Sequence, residues 1–131
     1  MRILQLITAI GFIAFWTLYF TIGFANEAYP ICYESFENSF PVPDAFIIIL
    51  LLLAWWNSDR NSIKAEQLTR IAGGAMIFLG LCDSSFNFMN GMYKISTSEL
   101  FMNAAINLWC IGFGAYQAFS PSIRKEQPST N

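Results

Sequence analysis

The sequence predicts an all-α integral membrane protein, a four-helix bundle with both termini in the cytoplasm. Hydrophobic residues make up 55% of the 131 residues and charged residues only 12%, whereas an ordinary soluble domain has about 25% charged residues. The apolar residues fall into four blocks. All of the Lys and Arg residues except Lys94 lie on the same side of these blocks. The first two observations predict membrane helices, and the third predicts their orientation.

The composition also excludes several classes of protein. A small soluble domain buries only about 60–70% of its surface, too little to hide this much apolar area. A net charge of −2 without a basic cluster argues against nucleic acid as a partner. The chain has no His, which removes His-based acid–base catalysis. We therefore expect the lipid bilayer as the main partner, with no catalytic residue, no metal and no cofactor.

Each apolar block predicts one helix, because a membrane segment must satisfy its own backbone hydrogen bonds. The first block, Ile3 to Ala25, has no charged residue and is long enough to cross about 30 Å of hydrocarbon. Its Gly23-Phe24-Ala25 motif would also fit a signal peptide, but signal-peptide cores have only about 7–15 apolar residues. The predicted single domain is residues 1–123, with helices at about 3–25, 44–57, 70–92 and 98–121, followed by a cytoplasmic tail at 124–131.

The basic residues predict the topology. Cytoplasmic ends of membrane helices are enriched in Lys and Arg, so the side that holds most of them is cytoplasmic. Residues 26–43, here called the outer segment, then face the outside. The location expected is a bacterial inner or plasma membrane. The residues that define the cytoplasmic side are Arg2, Arg60, Lys64, Arg70, Arg124 and Lys125.

The second predicted helix is too short to span the membrane alone. From Asp44 to Asn57 it measures about 21 Å at 1.5 Å per residue, less than the hydrocarbon thickness of about 30 Å. Tyr29 to Pro43 is aromatic and apolar. We therefore expect this stretch to fold over the outer half of the bundle.

Polar residues in the third and fourth helices predict two contacts between them. Asp83 and Asn107 are equally far along the chain from Ile95, where the hairpin turns, and so are Asn87 and Asn103. Antiparallel helices place such pairs at equal depth. Each helix carries its two residues at i and i+4, on one face. The sequence therefore predicts Asp83 beside Asn107 and Asn87 beside Asn103.

These residues are the core of a predicted ligand-binding pocket open to the outside. The hairpin of the second and third predicted helices places Asp44 within one helical turn in depth of Asp83. Two carboxyl groups that lie close together favour sharing a proton. The first helix can contribute aromatic walls. The predicted site residues are Asp83, Asn87, Asn103, Asn107, Asp44, Trp16 and Tyr19.

Structural roles are the alternatives for the same residues. Asp44 follows Pro43 in a first helical turn, where a carboxylate interacts well with the helix dipole. Asn in a membrane helix often only links helices, for roughly 0.6 kcal/mol. Asp83 differs, because an acid inside a span costs about 2.5–3.5 kcal/mol and marks a functional candidate.

The cysteines predict no disulfide framework. Cys32 is alone on the predicted outer side, and Cys82 and Cys110 lie inside predicted helices. Buried Cys usually acts as a small apolar filler.

Three short patterns resemble the YvaD-like group, a family of small bacterial four-helix membrane proteins. They are Thr8-x-x-Gly11-Phe12-x-x-x-Trp16, Asn38-Ser39-Phe40-Pro41-Val42-Pro43-Asp44 and Asn103-x-x-x-Asn107-Leu108-Trp109, and the likeness covers most of residues 5–119. This resemblance implies the fold and the membrane location but no activity. The architecture alone is also similar to emopamil-binding and sigma-2-receptor-like proteins, which have four helices and an acid-lined pocket for sterols or amphiphilic amines. That similarity assigns no residue.

Three function classes follow. The first is a protein that binds or moves a small amphiphilic or cationic ligand, or a lipid, in the outward pocket. The second is an accessory or structural subunit of a larger membrane complex, in which the polar faces only join helices. The third is an isomerase-like membrane enzyme that uses the two acids for proton transfer. A homodimer would suit a chain this small.

Overall fold

The computed structural model describes residues 1–23 and 26–120, and all regular structure in these ranges is helical. The predicted all-α fold class is confirmed for this part of the chain. Phe24, Ala25 and the predicted tail, with Arg124 and Lys125, lie outside the described residues. The helices are α1 (Arg2–Thr21), α2 (Tyr33–Glu37), α3 (Pro41–Asn57), α4 (Ser62–Met89) and α5 (Thr97–Phe119), with a short 3-10 helix at Met92–Lys94 before α5.

The boundaries of α1 and α4 differ from those expected. α1 ends at Thr21, before Gly23, which adopts the left-handed conformation at φ +74°. α4 begins at Ser62 rather than at residue 70, because Asn61 Oδ1 accepts a hydrogen bond from Lys64 N at 2.9 Å. This N-cap extends α4 to 28 residues, about 42 Å at 1.5 Å per residue. α4 is thus longer than the hydrocarbon layer is thick.

Three helical segments are long and apolar enough to cross a membrane: Arg2–Thr21, Tyr33–Asn57 and Ser62–Met89. Large apolar side chains are also exposed along these helices and α5, as at Ile7, Phe78 and Leu108. Both features are those of a membrane protein. α5 has 23 residues, but its amide side chains lower its mean hydropathy. These amides are Asn103, Asn107 and Gln117.

The long helices pack in sequence, α1 on α3, α3 on α4 and α4 on α5. Glycines bring α4 and α5 into backbone contact. A Cβ atom on Gly73 would lie 2.6 Å from Gly114 O, and one on Gly80 would lie 2.8 Å from Ile111 Cγ1. Later residues of α4 thus meet earlier residues of α5, so the two helices are antiparallel. The buried apolar core between the helices consists of Ala9, Ile47, Leu50, Leu51, Ala72, Met76, Cys110 and Phe113.

The outer segment contacts α4 and α5. The rings of Phe36 and Phe86 stack with centroids 3.8 Å apart. Tyr29 OH donates to Glu99 Oε1 at 2.7 Å. The segment contains α2 and leads into α3, which begins at Pro41 rather than at Asp44 and has 17 residues, about 25 Å. The segment therefore covers the ends of α4 and α5 from which these contacts come.

Candidate functional site: an acid–amide cluster

Asp44 is buried in the first turn of α3 and is held by α1. The prolines Pro41 and Pro43 suit this helix start, because they lack the amide hydrogen that a first turn leaves unpaired. Only 5% of Asp44 is exposed. Trp16 Nε1 donates a hydrogen bond to Asp44 Oδ2 at 2.8 Å, whereas Asp44 Oδ1 is buried without a partner. One carboxyl oxygen is thus satisfied and the other is free to accept.

Asp83 lies on α4 among amide groups. Asn87 Nδ2 donates to Asp83 Oδ2 at 3.0 Å, and the amide of Asn107 interacts with the same carboxyl group. Asn107 Nδ2 also donates to Tyr93 OH at 2.9 Å. Only 3% of Asn107 is exposed, and its Oδ1 is buried without a partner. Asp44, Asp83, Asn87 and Asn107 are here called the acid–amide cluster.

The two acids of the cluster interact electrostatically with each other and with a third. Asp83 lies within Coulombic reach of Asp44, and both act on Glu37. Glu37 ends α2 and is half-buried. The sequence placed it outside among other acids but did not indicate its burial, because that depends on how the outer segment folds back. Three acidic side chains, Asp44, Asp83 and Glu37, therefore lie near the end of the helices that the outer segment covers.

The predicted contact between Asn87 and Asn103 is not found. Asn103 Nδ2 instead donates to Glu99 O at 2.9 Å and Glu99 Oε2 at 3.2 Å. Asn87 likewise bonds Asp83, four residues earlier on its own helix. Both amides thus use the acceptor one turn back, which is always within reach. Asn103 therefore supports Glu99 and the outer segment, while Asn87 remains in the cluster.

The aromatic residues of α1 lie beside the cluster. Trp16 and Tyr19 pack edge to face with ring centroids 5.2 Å apart. Tyr19 OH donates to Asn38 Oδ1 at 3.3 Å. Trp16 thus contacts the cluster directly, and Tyr19 joins α1 to the outer segment.

Tyr29 links the outer segment to α5 through its hydrogen bond with Glu99. Burial, followed by the hydrogen bond to Glu99 and the charges of Glu99 and Glu37, raises the pKa of Tyr29 well above its ordinary value. Tyr29 thus stays a neutral donor at physiological pH. Cys32 Sγ adds a contact to Asn90 Oδ1 at 3.5 Å.

A second polar group lies nearer the other end of the helices. Gln5 Nε2 donates to Thr69 Oγ1 at 2.8 Å and to Gln117 Oε1 at 3.2 Å. Trp109 Nε1 donates to Thr8 Oγ1 at 3.2 Å. Sequence reasoning missed this group, although Gln5 and Gln117 are amides inside apolar blocks. It joins α1 to α4 and α5.

Two apolar grooves lie between the helices. One, of ≈ 400 Å³, runs between α1 and α3, and Trp16 lines it. The other, of ≈ 240 Å³, lies between α3 and α4 beside Phe78. Neither is lined by Asp83, Asn87 or Asn107. Within residues 1–23 and 26–120, no group of three or more His, Cys, Asp or Glu side chains could hold a metal ion.

Comparison with protein-family models, curated proteins and solved structures gives no match. The resemblance to the YvaD-like group therefore stays a prediction. Function has to be argued from the acid–amide cluster itself.

Proposed function

We propose that the chain is a four-span membrane protein, with both termini in the cytoplasm, that binds or moves a small cationic amphiphile at the acid–amide cluster. The membrane would be a bacterial inner or plasma membrane. The ligand would enter from the outer side, where Asp44, Asp83 and Glu37 concentrate negative charge. The following paragraphs give the support for each part.

The orientation is supported by basic and aromatic residues at the opposite end. Arg2 forms an ion pair with Asp59, and its guanidinium lies 5.3 Å from the Trp55 ring. The Arg60 guanidinium lies 4.1 Å from the Trp56 ring. Trp at a membrane interface and Arg on the cytoplasmic side are both typical of membrane proteins. This end therefore suits the cytoplasmic surface.

The observation that carries the ligand proposal is the pair of unsatisfied oxygens, Asp44 Oδ1 and Asn107 Oδ1. Leaving a buried acceptor unpaired costs about 1–3 kcal/mol, so each of these oxygens favours a donor. Both atoms need a donor. A primary ammonium group has three N–H donors and no acceptor, and its charge would offset that of Asp83. An ammonium head group thus supplies what the cluster lacks.

The limited contacts of the outer segment and the partial exposure of Asp83 support access from outside. The contacts found for the outer segment are a ring stack at Phe36 and hydrogen bonds at Tyr29, Cys32 and Asn38. Asp83 itself is only partly buried. A small displacement of the outer segment would open a path to Asp83 without separating the long helices.

The test is binding of dodecylamine to Asp83→Asn in lipid nanodiscs, measured by isothermal titration calorimetry. The amide keeps the shape and the contact with Asn107 but cannot ionise. We expect binding at least tenfold weaker than in the wild type, since a charged hydrogen bond contributes about 1.5–3 kcal/mol and tenfold is about 1.4 kcal/mol.

Asp59→Asn is the matched control, because it makes the same change at an exposed acid of the opposite end. It should bind dodecylamine like the wild type. An Asp83→Asn protein that is more stable and binds undiminished would reject the ligand site, since removing a costly buried charge is stabilising when the charge has no function.

An accessory subunit is the second candidate, and the Gln5–Thr69–Gln117 group favours it. There, buried polar side chains satisfy one another and join three helices, as structural polar groups in membranes do. If the acid–amide cluster has the same role, native mass spectrometry should show a larger partner complex and no bound amphiphile.

A further inference from the structure

The groove between α1 and α3 has the shape and chemistry of a site for a hydrocarbon chain. Its walls are almost wholly apolar, and its threonines present no free donor. Thr17 Oγ1 donates to Ile13 O at 2.8 Å, and Thr21 Oγ1 donates to Thr17 O at 2.6 Å. The lining consists of Ile13, Trp16, Thr17, Phe20, Thr21, Pro41, Ala45 and Ile48.

Trp16 connects this groove to the acid–amide cluster. Its ring lines the groove, and its Nε1 donates to buried Asp44 at 2.8 Å. One side chain therefore faces apolar space on one side and a carboxyl group with an unpaired oxygen on the other. A ligand with an apolar chain and a hydrogen-bond-donating head group fits the apolar groove on one side of Trp16 and the Asp44 carboxyl group on the other.

Acidic residues at the outer end of the groove favour a cationic head group. Phe20 of the lining packs against Tyr19, with ring centroids 5.4 Å apart. Tyr19 OH in turn donates to Asn38 Oδ1 at 3.3 Å, and Asn38 directly follows the acid Glu37. Residues 26–43 contain acids but no Lys or Arg. The outer end is thus negative, and an anionic lipid head group would be repelled.

We propose that this groove binds the alkyl chain of the cationic amphiphile, with Trp16 between the chain and the acids that attract the head group. The proposal rests on the proposed function and adds the position of the chain. It commits to one occupant, a single alkyl chain carrying a primary amine. Because lipid tails are as apolar as the groove walls, the chain contributes affinity by packing against these walls rather than by transfer from water.

The first test is cross-linking with dodecylamine that carries a diazirine at the end of its chain. In nanodiscs, labelled peptides are mapped by mass spectrometry. Labels are expected on α1 near Ile13 and on α3 near Ile48. Labels only on α5, or evenly on all exposed helix faces, would overturn the proposed position of the chain.

The second test fills the groove. In the wild type, affinity in the series butylamine, octylamine and dodecylamine, corrected for partition of each amine into empty nanodiscs, should rise at least about twofold, because a longer chain contacts more of the groove wall. Ala45→Trp should remove this dependence, so that the three amines bind with similar corrected affinity. Thr17→Trp fills the same groove from α1 and serves if Ala45→Trp does not fold. Ala105→Trp, at an exposed position of α5, is the matched control and should keep the dependence.

The outcomes separate this inference from the proposed function. If amines bind through Asp83 but chain length has no effect, or Ala45→Trp preserves the effect, the groove proposal fails and the head-group site stands. If no amine binds the wild type, the proposed function fails first. If Ala45→Trp instead removes a co-purified phospholipid or a second copy of the chain, the groove has a different occupant and the inference is wrong.

Discussion

The buried carboxyl group of Asp44 is held by an indole rather than by a cation. The bond from Trp16 Nε1 at 2.8 Å satisfies one oxygen and leaves the charge unbalanced. A buried carboxyl group without a cationic partner is costly. The indole therefore orients the Asp44 carboxyl group but leaves Oδ1 without a hydrogen-bond donor.

Trp16→Phe should lower the free energy of unfolding by about 1–3 kcal/mol, because it leaves a buried carboxyl oxygen without its donor. Thermal unfolding in detergent is the measurement. Trp109→Phe is the control, since it removes only a bond of 3.2 Å to the Thr8 hydroxyl, and its effect should be smaller. Equal losses for the two variants, or an undiminished Trp16→Phe loss in an Asp44→Ala background, which removes the acceptor, would contradict the assignment.

At this scale, sequence reasoning found the buried acids but not all of their partners. Equal distance from the turn placed Asp83 and Asn107 at one depth, and the two side chains interact. The same rule failed for Asn103, because Glu99 one turn earlier offers two acceptors. Distance from the turn predicts the depth of a side chain in the helix pair, but its hydrogen-bond partner depends on its rotamer.

Among the helices, α4 and α5 form the tightest pair. Gly73 and Gly114 allow backbone contact, and any side chain at either position meets backbone atoms closer than 3.0 Å. Close approach through small residues is the usual basis of helix association in membranes. The pair is thus a rigid unit against which the other helices pack.

Gly114→Ala should destabilise the protein by about 1–3 kcal/mol, the usual cost of overpacking. Gly112→Ala is the control on the same helix, because a Cβ there meets nothing within 4 Å. It should be neutral or stabilising by up to about 1 kcal/mol, since Ala favours the helix over Gly. Thermal unfolding compares the two. A more destabilising Gly112→Ala would show that the packing of α4 and α5 is misassigned.

Element boundaries were less predictable than element positions. Apolar blocks locate the long helices, but they do not reveal the polar start of α4 between Ser62 and Arg70. Asn61, a typical N-cap residue, is the sequence signal for that start. The outer segment was expected to lack helix, yet Tyr33–Glu37 forms a short one. Its aromatic residues are stabilised by distant contacts such as that of Phe36 with Phe86, which local sequence does not reveal.

For the whole molecule, composition was the most informative signal. The apolar runs predicted membrane-length helices, three of which have the required length and hydropathy. The amide groups that reduce the hydropathy of α5 are the ones that face its neighbours, with Asn107 and Gln117 both buried. α5, which we propose as the fourth span, is therefore hard to recognise by hydropathy, because its polar residues contact the neighbouring helices.

The proposed topology predicts the labelling of Cys32, which is exposed in the outer segment. In a Cys82→Ala, Cys110→Ala background, a membrane-impermeant maleimide should label Cys32 in intact cells. Ser62→Cys, at the exposed start of α4 and with Cys32 replaced by Ser, should react only after the membrane is opened. The reverse pattern would invert the orientation and place the acid–amide cluster on the cytoplasmic side.

The bond between Tyr29 and Glu99 has a consequence for the order of assembly. The ribosome makes Tyr29 early and Glu99 only when α5 begins, so this bond can form only after α4 has supplied the contacts of Phe36 and Cys32 to the outer segment. Asp44 meets Trp16 as soon as α1 and α3 pair, and Asp83 carries Asn87 on its own helix. Each acid thus has a donor before α5 arrives. We therefore expect the bond between Tyr29 and Glu99 to be among the last contacts of the outer segment to form.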